Sequence, residues 1–200
     1  MYNFLVFLVR SFVKLWFKVE VIGKENVPDK GGYIVASNHQ SYWDPVLIAV
    51  FLKGKYCFMA KKELFRNKLF GWFITMLGAF PVERGSGDSA PLDEAVSRIK
   101  SGKIFVIFPE GTRSLNGKLG RGRSGVSVIA GMSGADLLPY AIKYDGRPKF
   151  RSKVSIRIGK LIPAEEIKIS DTDRHQIKNT TNRIMEEIAA LLEDNDDNNR

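Results

Sequence analysis

Apolar positions recur along this chain in two periods, 3.6 and 2, and segments of the two kinds alternate. Residues 3–18 predict an amphipathic helix. Phe4, Leu5, Phe7, Leu8, Phe12, Leu15 and Trp16 cover most of its surface, and Arg10, Lys14 and Lys18 recur every four positions as a basic stripe. Residues 19–23 predict a strand. A turn region over 24–32 is punctuated by Pro28, Gly31 and Gly32. The apolar run 33–36 reads as a buried strand, residues 45–52 as a helix and 55–60 as another strand. Residues 69–80 are strongly apolar but fall short of the ~20 needed to cross a bilayer, so they predict a buried helix or the wall of a hydrophobic groove.

Further on, Leu92, Ala95, Val96 and Ile99 share one face of a predicted surface helix over 89–100. The uninterrupted run 104–108 suits a central strand covered on both faces. A helix over 126–132 and a strand over 137–142 follow. Val154, Ile156 and Ile158 then alternate with Ser155 and Arg157, as in a half-exposed strand. Asp173, three residues before Gln176, resembles a helix cap, and the last helix is expected to reach about residue 193. The alternation predicts an α/β fold: one domain with a mixed, mostly parallel sheet of about seven strands flanked by helices. The expected organisation is a membrane-associating helix at 1–18, the main domain at 19–193 and a disordered polar tail at 194–200.

Composition narrows the partners. The chain has 200 residues, 44% apolar and 26% charged, which excludes a disordered chain. Its formal charge of +9 points to an anionic partner: a membrane surface, a phosphorylated ligand or nucleic acid. The basic segment 141–160 lacks a recognisable nucleic-acid motif, and the aromatics do not interleave with its cations, so no nucleic-acid partner is expected. The single cysteine, Cys57, rules out a disulfide framework or a cysteine-based zinc site within the chain and reads as a buried apolar residue. No cluster has metal-ligand spacing, and no metal or cofactor is expected. The start of the chain lacks a basic leader and a small-residue cleavage site, so no signal peptide is expected. The aromatic-rich first helix suits lying in a membrane interface; packing on the domain's own core is its alternative.

Candidate chemistry begins at Asn38-His39-Gln40-Ser41-Tyr42-Trp43-Asp44, on a strand-to-helix turn. Such turns lie at the mouth of an α/β sheet, where ligands bind. An imidazole with a carboxylate partner can take a proton from an attacking hydroxyl. Alternatively, Asp44 simply caps the helix that starts at Pro45, and His39 is a loop residue. On a regular helix five positions turn ~500°, so the pair can meet only if His39 precedes the helix. Glu110-Gly111-Thr112-Arg113 also follows an apolar strand. Glycine permits close backbone approach there, and arginine binds phosphate bidentately. Lys61, Arg84 and Arg123 fall at element ends as well. Converging with Arg113 they would form an anion site; singly, each reads as a solvated charge.

These segments carry a resemblance. Residues 38–44, Pro81-Val82-Glu83-Arg84, Phe108-Pro109-Glu110-Gly111-Thr112-Arg113-Ser114 and Leu138-Pro139-Tyr140 resemble, in order, the four motif blocks of glycerolipid acyltransferases, and most resemble the bacterial 1-acylglycerol-3-phosphate type. Ala60-Lys61-Lys62-Glu63-Leu64 resembles a further segment of the family. The likeness spans roughly residues 15–190. It implies transfer of an acyl group from a thioester, acyl-CoA or acyl-carrier protein, to the free hydroxyl of lysophosphatidate, without an acyl-enzyme. By position, His39 is the implied general base and Asp44 its orienter. Arg84 and Arg113 are the implied phosphate ligands, helped by Lys61 and Arg123, with Glu110, Gly111 and Thr112 shaping the substrate site. Residues 69–80 are a candidate acyl-channel lining. The second block departs in carrying Val82-Glu83 before its arginine, and only one helix fits before the first strand where some relatives carry a two-helix hairpin. The implied location is peripheral or monotopic on the cytoplasmic face of the cell membrane. Two alternatives stay open: another lysophospholipid acceptor, or a non-catalytic basic module that binds anionic lipid or nucleic acid.

Overall fold

The computed structural model describes residues 2–52, 54–83, 89–167, 169 and 173–193, with side chains from residue 7 onward. The helices are α1 (Tyr2–Trp16), α2 (Asp44–Phe51), α3 (Lys68–Met76), α4 (Ala90–Lys100), α5 (Gly125–Ser133) and α6 (Arg174–Glu193). The strands are β1 (Lys18–Ile22), β2 (Ile34–Ser37), β3 (Tyr56–Lys61), β4 (Ala79–Val82), β5 (Ile104–Ile107), β6 (Leu137–Tyr144) and β7 (Lys153–Ile158).

The seven strands form one sheet in the order β1-β7-β6-β2-β5-β3-β4. All pairings are parallel except β6–β7, so β1 and β7 run against the other five. The carboxyl ends of β6, β2, β5, β3 and β4 therefore emerge side by side along one edge. This is the expected mixed, mostly parallel α/β domain, and that edge is where open sheets of this kind bind ligands.

Strand alternation sends successive side chains to opposite faces. Val35, Val106, Tyr140 and Ile142 face a layer that contains Val13 and Phe17 at the α1 end and Leu47 and Ile48 of α2. Ala36, Cys57, Phe105 and Leu137 face a layer built from α4, α5 and α6. A small cluster of Ala60, Ile74 and Ala79 seats α3; Phe58 packs against both it and the α1–α2 layer. Hence α1, α2 and α3 cover one face of the sheet and α4, α5 and α6 the other.

Local chemistry sets the helix starts. Pro45 sits in the first turn of α2, where its missing N–H needs no partner. Asn67 caps α3 by accepting the Phe70 N–H at 3.0 Å. The Asp173 carboxylate accepts the N–H groups of His175 and Gln176 at 2.8 and 3.2 Å, as the capping pattern predicted.

Three expectations need correction. The apolar stretch 69–80 is not one buried helix. Its first part is α3, which buries only Gly71 and Ile74, and its end is β4. β4 is an edge strand, which is why Pro81, lacking an N–H, is tolerated in it. The basic stripe of the first helix breaks up, because Lys18 belongs to β1 and Arg10 turns inward to donate to the Val50 carbonyl at 2.9 and 2.6 Å. β7 is more covered than its alternation suggests, since Arg157 is buried. The tail 194–200 lies outside the described residues.

Candidate active site

The turn after β2 is held from several sides. Asn38 is buried and pairs with the backbone of Ile142 in β6. It accepts the Ile142 N–H at 2.8 Å and donates to the Ile142 carbonyl at 2.9 Å. His39 comes next, before α2 begins, and its Nδ1 lies 2.8 Å from Asp44 Oδ2. The same oxygen accepts the N–H groups of Gln40 and Ser41, both at 2.7 Å. Asp44 Oδ1 accepts the Tyr144 hydroxyl at 2.5 Å. The fully buried carboxylate thus turns back onto residues 39–41 and across to β6. A helix cap would instead bond forward into α2, so the capping alternative fails.

This arrangement sets the tautomer. A carboxylate oxygen can only accept, so Nδ1 carries the proton and Nε2 carries the lone pair that can take one. Burial, and then the adjacent Asp44 charge, push the Tyr144 phenol far above its ordinary pKa, so it stays a donor.

The loop after β5 completes the site. The His39 ring stacks on Phe108 with centroids 4.0 Å apart. Glu110 is buried and bridges two segments: Oε1 accepts the His39 N–H and Oε2 the Gly120 N–H, each at 2.8 Å. The Ser114 N–H donates to the His39 carbonyl at 2.8 Å. Gly111 has φ +71, a left-handed backbone that favours glycine, and a Cβ on it would lie 2.8 Å from Nε of the Arg123 side chain, which would have to shift. The Arg113 guanidinium lies 3.6 Å from the ring centroid of Tyr42, inside the histidine turn.

Beyond this loop, toward α6, lies a cleft of about 1110 Å³ whose lining includes Thr112, Arg113, Lys118, Arg121, Arg123, Arg174 and Lys178. Glu110 is the one acid among the described lining residues, and both its oxygens accept backbone N–H groups. The cleft is therefore strongly basic, and it joins the histidine turn through Glu110 and Arg113. Lys61 ends β3 on the same sheet edge, exposed to solvent and outside this lining. Arg84 lies outside the described residues; β4, two positions before it, ends on that edge.

Comparison with known proteins identifies the whole. The signature described as Acyltransferase matches residues 18–143, a span that holds the histidine turn and the Glu110 loop. The chain belongs to the acyltransferase family. This acyltransferase is 35% identical over 164 residues to the 1-acyl-sn-glycerol-3-phosphate acyltransferase of Bacillus subtilis, covering 80% of this chain and 81% of the relative. It is 33% identical over 178 residues to the enzyme of that name from Streptococcus pneumoniae, covering 85% of this chain and 64% of the relative. Its fold matches the crystal structure of the 1-acyl-sn-glycerophosphate acyltransferase PlsC from Thermotoga maritima with a TM-score of 0.73 and 26% identity, over 100% of this chain and 82% of that one.

Two partners of the acyltransferase site escape sequence reading. Tyr144 lies 100 positions from Asp44, and no local pattern marks it. Asn38 stands next to the histidine, but its grip on β6 appears only once β2 and β6 pair. The histidine turn also touches α1. Trp43 stacks on Phe12 and Trp16 with centroids 6.2 Å away, and meets Phe17 edge-on at 5.3 Å. Among the described residues no helix is long and apolar enough to cross a membrane.

Proposed function

We propose that this acyltransferase moves a fatty acyl group from an acyl thioester, acyl-CoA or acyl-carrier protein, to the 2-hydroxyl of 1-acylglycerol-3-phosphate, giving phosphatidate. The observation that carries the reading is the 2.8 Å contact between His39 and a fully buried Asp44 that holds three other donors. A basic module that only bound anions would have no use for a buried carboxylate behind a histidine.

The acceptor hydroxyl hydrogen-bonds to His39 Nε2. His39 removes its proton as the oxygen attacks the thioester carbonyl, and Asp44 stabilises the imidazolium that forms. The tetrahedral adduct collapses, the C–S bond breaks, and the imidazolium returns its proton to the departing thiolate. The products are an ester and a thiol, with no acyl-enzyme and no metal or other cofactor. Arg113 and Arg123, with Lys61 from the end of β3 and Arg84, bind the acceptor phosphate. Gly111 and Glu110 hold the backbone around it, and Thr112 offers a hydroxyl. Within residues 69–80, Phe73 and Ile74 keep the expected acyl-lining role, joined by Phe58 of β3, and their clustering against the sheet supports it.

The protein acts on a membrane surface, from the cytoplasmic side, held by α1. Exposed Phe7, Leu8, Phe12 and Leu15 support this reading, with Val13 and Arg10 turned inward. A panel of acyl-CoA and acyl-carrier-protein donors against several lysophospholipids, read by product mass, tests the function. Phosphatidate from lysophosphatidate is the expected product. Turnover of only a different lysophospholipid would move the acceptor assignment, and no ester from any pair would refute the reading.

A further inference from the structure

The short helix α3 presents the wrong side for a soluble protein. Leu69 is 77% exposed, Trp72 58% and Phe70 45%, although a buried helix was expected from their apolarity. Three large apolar side chains clustered on a nine-residue helix mark an interaction surface. They are rimmed by cations: segment 61–72 carries Lys61, Lys62, Arg66 and Lys68 against one acid, Glu63. Lys62, Arg66 and Lys68 are all exposed, and Lys62 also pairs with Glu83 at 3.3 Å across the surface.

The position of this patch matters as much as its composition. α3 covers the same sheet face as α1, which exposes Phe7, Leu8, Phe12 and Leu15. α1 packs on α2 and β1, at one end of the sheet, and α3 packs on β4, at the other. β2, which delivers His39, is the fourth of the seven strands between them. Two apolar patches therefore flank the histidine turn on one face.

We propose that α3 is a second membrane foot. Leu69, Phe70 and Trp72 enter the acyl-chain boundary of an anionic bilayer, while Lys62, Arg66 and Lys68 lie among its phosphate headgroups. Charge selects this occupant. A second copy of the chain would set the same cations against each other, whereas an anionic lipid surface complements both the apolar and the basic parts of the patch. Contact on both sides of the histidine turn lets a lysolipid reach His39 laterally without leaving the bilayer. This inference rests on the membrane reading above but assigns a separate element to it.

The test uses the full chain and vesicles of phosphatidylglycerol and phosphatidylcholine. In the variant Leu69→Ser/Phe70→Ser/Trp72→Ser, vesicle affinity is expected to fall by at least about tenfold, because three inserted apolar side chains are removed. Turnover of vesicle-borne lysophosphatidate should fall in parallel, while turnover of a short-chain, monomeric lysophosphatidate stays within about twofold of the parent. Quenching of tryptophan fluorescence by bromine-labelled lipid should lose its main component in Trp72→Phe, a reading that holds even if the triple variant misfolds. Unchanged affinity in the triple variant with unchanged quenching in Trp72→Phe overturns the proposal. So does a parent dimer that becomes monomeric in the triple variant, since the patch would then be a subunit contact. A Phe7→Ser/Leu15→Ser variant separates the two readings. If it loses vesicle binding while the α3 variant keeps it, α1 alone is the anchor. If the parent protein ignores anionic vesicles, both readings fall.

Discussion

Glu110→Gln isolates the bridge between the two halves of the site. The Glu110 carboxylate accepts one N–H from His39 and one from Gly120, each at 2.8 Å, from a buried position. Hydrogen bonds to a charged group contribute about 1.5–3 kcal/mol each. Glutamine keeps the shape and one acceptor, but turns an NH2 toward the other donor. One bond is lost, one buried N–H is orphaned and the remaining bond loses its charge. Together these should cost about 2–4 kcal/mol. For a chain of this size each kcal/mol moves the thermal midpoint by roughly 2–4 °C, so a drop of about 5–15 °C is expected. Activity should fall further than stability explains. With the backbone of His39 no longer pinned to the loop, a displacement approaching an ångström would lower kcat/KM by about 10–100-fold in protein that is still folded. Calorimetry and acyl-transfer kinetics on the same preparation read both quantities. A variant that keeps its melting temperature and full turnover would refute the bridging role.

Three further outcomes follow from the same contacts. Tyr144→Phe removes one of four donors from Asp44 and should lower kcat by several-fold with little change in KM, at a stability cost of about 1.5–3 kcal/mol. Gly111→Ala forces a left-handed backbone on alanine and sets a Cβ 2.8 Å from Arg123 Nε, so it should cost about 1–2 kcal/mol and weaken acceptor binding, seen as a raised KM. Burial pushes the Tyr33 phenol up to about 12 and the Cys57 thiol up to about 11, so between their unfolded and folded pKa values the native state holds protons that the unfolded chain has released. Stability is therefore whole at neutral pH and should fall as pH rises through that alkaline window, measured by urea midpoints. Cys57 should resist thiol reagents near pH 8 until the chain unfolds.

What the sequence disclosed and what it hid divide along physical lines. Strand-helix alternation and helix caps are local, and they placed β2, α2, β5, α4 and α6 within a residue or two. The meeting of His39 and Asp44 was legible as a conditional: it required His39 to precede the helix, and it does. Tyr144, Asn38 and the double duty of Glu110 depend on strand pairings across 71 to 104 positions, for which periodicity holds no signal. The outward face of α3 was hidden for a different reason. Apolarity measures the preference to leave water, and the run 69–80 has that preference whether its destination is the core or a surface that meets lipid. Arg10 illustrates the converse: a periodic cation read as a solvated stripe instead satisfies the carbonyl at the end of α2.

The central claim is that His39 is the base in acyl transfer to a lipid hydroxyl. The most direct measurement is phosphatidate formation from lysophosphatidate and an acyl thioester by the parent protein and by His39→Ala, with melting curves to show that both are folded. The predicted result is product from the parent and a loss of about 10³-fold or more in kcat for the variant. A folded His39→Ala protein that forms phosphatidate at the parent rate would contradict it.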